Sequence, residues 1–190
     1  MAGVAGQEGL GLDALQLMRL VADARVVLIA GHEASGRTAV LAFLLGGMVD
    51  VPVVVVSYWN EFAGFARYDL WEWAVGERTA GDLISLVPRG GLVAVDHVDC
   101  PAVGALVAQL VAHGLRVWCC ACSLLVGSAE EAADLLRSLC RVAGFGLPVD
   151  VPDGVVLLGR RRAGEPVRIA EVYRAGHGVV RRGTVFNPIR

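Results

Sequence analysis

The chain has 190 residues, of which 55% are hydrophobic and 19% charged, and its formal net charge is -2. That length suits one domain with a substantial core and leaves no room for two large ones. The apolar fraction excludes a disordered chain, and the balanced charge excludes attraction of the whole molecule to nucleic acid or an anionic membrane.

In chain order, residues 1–11 lack the basic segment and apolar core of a secretory signal, so a cytoplasmic protein is expected. Residues 12–22 place Leu12, Leu15, Leu17, Leu20 and Val21 at helical spacing and predict an amphipathic helix. Residues 25–30 are a short aliphatic run ending at Gly31, which predicts a fully buried strand. A helix over 38–45 and a second buried strand over 53–57 follow. The apolar stretch 39–56 is broken by Gly46, Gly47, Asp50 and Pro52, so a helix, a turn and a strand fit it better than a membrane span.

Residues 58–77 are rich in aromatic side chains and predict a partly helical connection. A third strand, 92–95, ends at Asp96. A helix over 101–113 and a fourth strand over 115–122 come next. Ser128 then opens a helix that runs to about residue 142 and closes at Gly144. Its hydroxyl caps the first turn while Glu131, three residues on, reaches back. Strands over 155–158 and 167–172, joined by a polar connection, predict an antiparallel hairpin, and the tail from 178 adds one more short strand.

Alternating strands and helices predict an α/β fold with a mostly parallel sheet covered by helices on both faces. The expected organisation is one domain. Residues 1–24 form an N-terminal helix, 25–150 the core, and 151–190 a C-terminal hairpin.

Five cysteines occur, three of them (Cys119, Cys120 and Cys122) in one apolar strand. No second ligand pair stands at zinc-binding spacing, so reduced cysteines in a core are expected.

Chemistry concentrates in Gly31-His32-Glu33-Ala34-Ser35-Gly36-Arg37-Thr38. Strand, Gly-x-x-x-x-Gly-Arg-Thr and helix form a Walker A pattern with arginine in place of lysine. The glycines let backbone N–H groups turn inward around phosphates, and the helix presents its positive end to them. The phosphate-binding set is Gly31, Ala34, Ser35, Gly36, Arg37, Thr38 and Ala39, with Arg37 reaching the terminal phosphates. Thr38 and Asp96, the acid at the end of an apolar strand, form the Mg²⁺ site. ATP and Mg²⁺ are the implied ligands.

All 17 basic residues are arginine. Arg37 therefore has a compositional explanation, although a guanidinium is bulkier than an ammonium. Glu61 is the leading residue for orienting the attacking water, Asp96 completes the catalytic set, and Glu33 and Asp99 are rivals to Glu61.

From these residues onward the chain resembles the ATPase domain of the type II/type IV secretion and Tad-pilus ATPases. Residues 31–38 resemble the family's Walker A and 83–99 its Walker B region. Residues 128–136, then 143–148, resemble the helix and turn that follow the family's histidine box. Residues 155–161 and 168–172 resemble its closing hairpin. The resemblance implies a RecA-like P-loop NTPase fold and a motor ATPase of secretion, pilus or conjugation systems. It also implies a homo-oligomer, or a hetero-oligomer with an intact secretion ATPase or a membrane platform protein.

The departures are specific. Asp96 stands where the family usually has glutamate, and Leu124-Leu125-Val126-Gly127 stands where a histidine is expected before Ser128. The family's arginine fingers and separate N-terminal domain have no counterpart, so a shortened member with weak or slow hydrolysis is expected. A non-catalytic nucleotide-binding partner of an intact secretion ATPase is the alternative. A RecA- or DnaB-like ATPase acting on DNA is the third reading. The net charge and the lack of an aromatic–basic platform speak against nucleic acid, and Arg160-Arg161-Arg162 reads as a solvated hairpin.

Overall fold

The computed structural model describes residues 12–48, 50–57, 69–72, 79–122, 126–160 and 165–187. Among the described residues nine strands form one sheet in the order β1-β9-β8-β7-β2-β6-β5-β3-β4. Its parallel part is built from β7 (Gly154–Leu158), β2 (Val26–Gly31), β6 (Arg116–Cys122), β5 (Leu92–Val95), β3 (Val53–Ser57) and β4 (Asp69–Glu72). Beyond β7 the sheet turns antiparallel through β8 (Arg168–Arg174) and β9 (Gly178–Asn187), and β1 (Leu12–Asp13) runs parallel beside the end of β9.

Aliphatic runs become central strands here because both faces are covered. Along β2, Val26, Leu28 and Ala30 pack on one side with Leu106 and Leu110 of α4 (Pro101–Ala112) and with Leu136 and Cys140 of α5 (Ala129–Val142). Val27 and Ile29 point the opposite way. They pack with Leu17 and Val21 of α1 (Ala14–Val21) and with Val40, Leu41 and Leu44 of α2 (Arg37–Gly46). The period-2 alternation of a strand thus feeds two separate cores, one per sheet face.

The expected α/β fold, a mostly parallel sheet flanked by helices with antiparallel strands at its C-terminal end, is the fold observed. The parallel order places β6 between β2 and β5. The strand that leads into the glycine loop and the strand that ends at Asp96 are therefore second neighbours.

Three local expectations need correction, and one helix was not anticipated. The expected partly helical connection over 58–77 contains a strand, β4, pairing in parallel with β3 from Val54↔Asp69 to Ser57↔Glu72; the other residues of that stretch lie outside those described. Helix α3 (Ala80–Leu86) was not expected, yet its start is encoded. Thr79 accepts from the Asp82 N–H, while the Asp82 carboxylate accepts from the Thr79 N–H at 2.7 Å, a reciprocal cap. The tail forms a ten-residue strand rather than a short one. Residues 12 and 13 pair with Phe186 and Asn187 as a strand, so the first helix begins only at Ala14.

The α5 cap follows the expected logic with one shift. Ser128 Oγ accepts from the Glu131 N–H at 3.2 Å, but the Glu131 carboxylate reaches one residue further back, to the Gly127 N–H at 2.6 Å. At its other end Gly144 takes φ 87, its N–H reaches the Arg141 carbonyl, and the Phe145 N–H reaches that of Cys140. That is a Schellman closure, which a left-handed glycine permits. Among the described residues no helix is long and apolar enough to cross a membrane.

Candidate functional site

The C-terminal edge of the parallel strands carries the polar residues singled out in the sequence. Strand β2 ends at Gly31, and α2 begins at Arg37 after the N-cap Gly36. Between them Ala34 has φ 58 and Gly36 φ 97, so the chain enters the left-handed region twice within three residues. Successive residues of alternating handedness turn backbone N–H groups toward one side, which makes an anion-binding concavity. The first helical bond of α2 runs from the Val40 N–H to the Gly36 carbonyl at 2.9 Å. The amides of Arg37, Thr38 and Ala39 therefore open the helix without an intrahelical acceptor, where the positive end of its dipole also lies.

Packing explains the residue types. A Cβ on Gly31 would stand 2.6 Å from Ser35 Oγ and 3.0 Å from Leu158 Cβ, so the loop admits no side chain at that position. Ser35 is 1% exposed and Arg37 7%, yet Ser35 Oγ and Arg37 Nη1 are buried without a hydrogen-bond partner among the described residues. Buried polar atoms are nearly always satisfied. Two unsatisfied ones in the same loop mark a place built for a further polar ligand.

Asp96 lies at the end of β5, 1% exposed, with its own N–H bonded to the Val56 carbonyl at 2.9 Å. Thr38 Oγ1 lies 3.3 and 3.4 Å from its two carboxylate oxygens, which brings the proposed metal pair together across β6. His97 follows with φ 62, a rare backbone state for a residue with a Cβ. Its Nε2 lies 3.3 Å from Asp96 Oδ2.

Beneath them the Cys120 thiol of β6 is held well above its ordinary pKa, first by burial and then by the Asp96 charge, with a hydrogen bond to Asp96 contributing. Burial likewise raises Cys119, and it pushes Cys140 up to about 11. These thiols stay protonated at neutral pH, as core cysteines do.

The structure thus assembles Gly31, Ala34, Ser35, Gly36, Arg37, Thr38, Ala39 and Asp96 in one place. Glu33, in the loop, and Asp99, in the connection to α4, are both exposed. Glu61 lies outside the described residues. Three residues were not singled out from the sequence for this site. His97 is the chain neighbour of Asp96, whereas Cys120 needs the strand order to reveal its proximity to that acid. Arg160 stands next to His32 although 128 positions separate them.

Comparisons with solved structures find the same overall fold. The chain matches the VirB11 ATPase from the Brucella suis type IV secretion system, in complex with sulphate, at a TM-score of 0.61 and 19% identity. That match covers 84% of this chain and 51% of VirB11. It matches the Legionella pneumophila ATPase DotB at a TM-score of 0.58 and 10% identity, over 85% of this chain and 49% of DotB. The chain spans about half the length of each. No protein-family model and no curated protein matches it. The resemblance to secretion ATPases drawn from the sequence is therefore carried by the fold.

Proposed function

We propose that this chain is an ATP-binding P-loop protein of the secretion, pilus or conjugation motor type, with slow hydrolysis. The observation that carries the reading is the meeting of Thr38 Oγ1 with both oxygens of Asp96, at 3.3 and 3.4 Å, beside a loop that reverses handedness at Ala34 and Gly36. A hydroxyl and a carboxylate facing each other at a helix N-terminus suit a hard divalent cation with phosphate ligands.

In this reading the amides of residues 36–39 hold phosphate oxygens, with Gly31 keeping the loop open. Arg37 places its charge, and the unpartnered Nη1, toward the terminal phosphates. Ser35 Oγ supplies a further polar contact. Thr38 and Asp96 hold Mg²⁺, which when bound neutralises charge on the phosphate oxygens. Glu61 is the residue we assign to orienting the attacking water. Residues 1–190 act as one unit that assembles with copies of itself, with an intact secretion ATPase or with a membrane platform, at the cytoplasmic face.

A non-catalytic nucleotide binder is the second reading, and Arg37 is the observation that favours it. A wide guanidinium in a position 7% exposed has less freedom than an ammonium to follow charge as it moves during transfer. Equilibrium binding of a fluorescent ATP analogue, with and without Mg²⁺, tests the shared claim. Mg²⁺-dependent binding by the wild type, lost in Thr38→Ala, supports it; wild-type binding indifferent to Mg²⁺ and to Thr38 contradicts it. Phosphate release then separates the two readings. An Arg37→Lys variant that gains turnover, about tenfold for each 1.4 kcal/mol of barrier removed, marks a weakened enzyme. Zero turnover in both proteins marks a binder.

A further inference from the structure

The phosphate loop has a second contact, on the side away from Asp96. Strand β7 neighbours β2 in parallel, with Leu157 opposite Ala30, so residues just past β7 rise level with the start of the loop. Leu158 fills the space beside Gly31, its carbonyl oxygen 3.3 Å from where a Cβ would stand. Two residues on, Arg160 donates its Nε–H to His32 Nε2 at 2.8 Å. A guanidinium only donates, so the imidazole accepts through Nε2 and carries its hydrogen on Nδ1. Both side chains line a cavity of about 440 Å³ whose other walls are Val126, Gly127, Leu157 and Ala170 among others.

His32 is consequently held at two points. Its carbonyl accepts from the Ser35 N–H at 3.1 Å, closing the turn that contains Ala34 at φ 58, and its ring is held by Arg160. A left-handed alanine is unfavourable without support from its surroundings. Among the described residues the polar partner of Arg160 is His32.

We propose that Arg160 is a positioning residue of the phosphate site. Through His32 it holds the first half of loop 31–38 in the conformation that receives a nucleotide. This inference rests on the nucleotide-binding reading above. Arg160 itself need not touch the ligand, and it is exposed, so its removal leaves the core intact.

The test is a double-mutant cycle on Mg-ATP affinity, with Arg160→Met, His32→Leu and the double variant, and with unliganded melting recorded alongside. Each single substitution is expected to weaken Kd by about three- to tenfold, the range of one hydrogen bond, and the double variant to lose no more than the worse single. His32→Gln keeps an acceptor for the guanidinium and is expected to restore affinity. The unliganded melting point stays at the wild-type value throughout. Losses that multiply in the double variant, or a His32→Gln protein as weak as His32→Leu, overturn the proposal. So does a fall in unliganded melting that parallels the loss of affinity. A wild type that binds Mg-ATP, with variants that bind it equally well, defeats this inference alone. A wild type that binds none defeats the nucleotide reading and this inference with it.

Discussion

The parallel and antiparallel parts of the sheet are built on different terms. Strands β2, β3, β5 and β7 are buried at every position, whereas in β8 Ile169 and Val172 are buried and the other residues are more accessible. The parallel strands carry two cores and end at the polar loop. The antiparallel strands cover one flank and add ion pairs at the surface, such as Arg182 with Glu171 at 3.2 Å. The loop and Asp96 both follow parallel strands, β2 and β5, which β6 joins.

Substitutions in the two parts should therefore differ in size. Trp118 of β6 is fully buried and among the largest core side chains, so Trp118→Ala is expected to cost about 3–5 kcal/mol in urea unfolding. A loss under about 1 kcal/mol would mean the central strand is not packed as described. Asp153, just before β7, joins the start of β2 to that strand by accepting from the N–H groups of Arg25 at 2.8 Å and Val26 at 2.6 Å. Asp153→Ala strands those amides and should cost about 1–3 kcal/mol by the same measurement. In the antiparallel flank Arg182 is 72% exposed at its side chain, and Arg182→Ala should cost no more than about 1 kcal/mol. If Arg182→Ala proved as damaging as Asp153→Ala, the contrast between the two regions would fail.

A further expectation concerns pH and belongs to the core. Burial raises the Cys140 thiol from 9.0 to about 11, and Cys119 and Cys120 are raised as well. Above the unfolded value the unfolded chain loses protons that the folded chain keeps, so stability falls as pH climbs from about 9 toward about 11. Denaturant midpoints across that range should decline, and Cys140→Ala should flatten part of the slope. A midpoint that rises with pH there contradicts the sign.

Much of this was legible in the sequence where burial is total. The runs at 26–31, 53–57 and 92–95 are aliphatic because both faces of those strands are covered, and their observed ends differ from expectation by a single residue at most. The loop between β2 and α2 and the position of Asp96 after β5 were legible because a Gly-x-x-x-x-Gly pattern and an acid after an aliphatic run are local signals. Helix α3 escaped because seven residues hold too little periodicity, although the Thr79–Asp82 cap was present as a clue. Strand β4 escaped because its four residues stand among aromatic side chains compatible with either state. The Arg160–His32 contact had no local signature. It exists only because β7 returns beside β2, a tertiary fact that spacing along the chain does not record.

One measurement bears on the central claim most directly: the melting temperature with Mg-ATP, with ATP plus a chelator, and in an Asp96→Asn variant. At a ligand concentration about 100 times Kd, binding to the folded state contributes about 2.7 kcal/mol, or about 5–10 °C for a chain of this size. The account predicts that rise for the wild type with Mg-ATP, a much smaller one with chelator, and little Mg²⁺ dependence in Asp96→Asn. An unchanged wild-type melting point at saturating Mg-ATP, or a rise that survives both chelation and loss of Asp96, would contradict it.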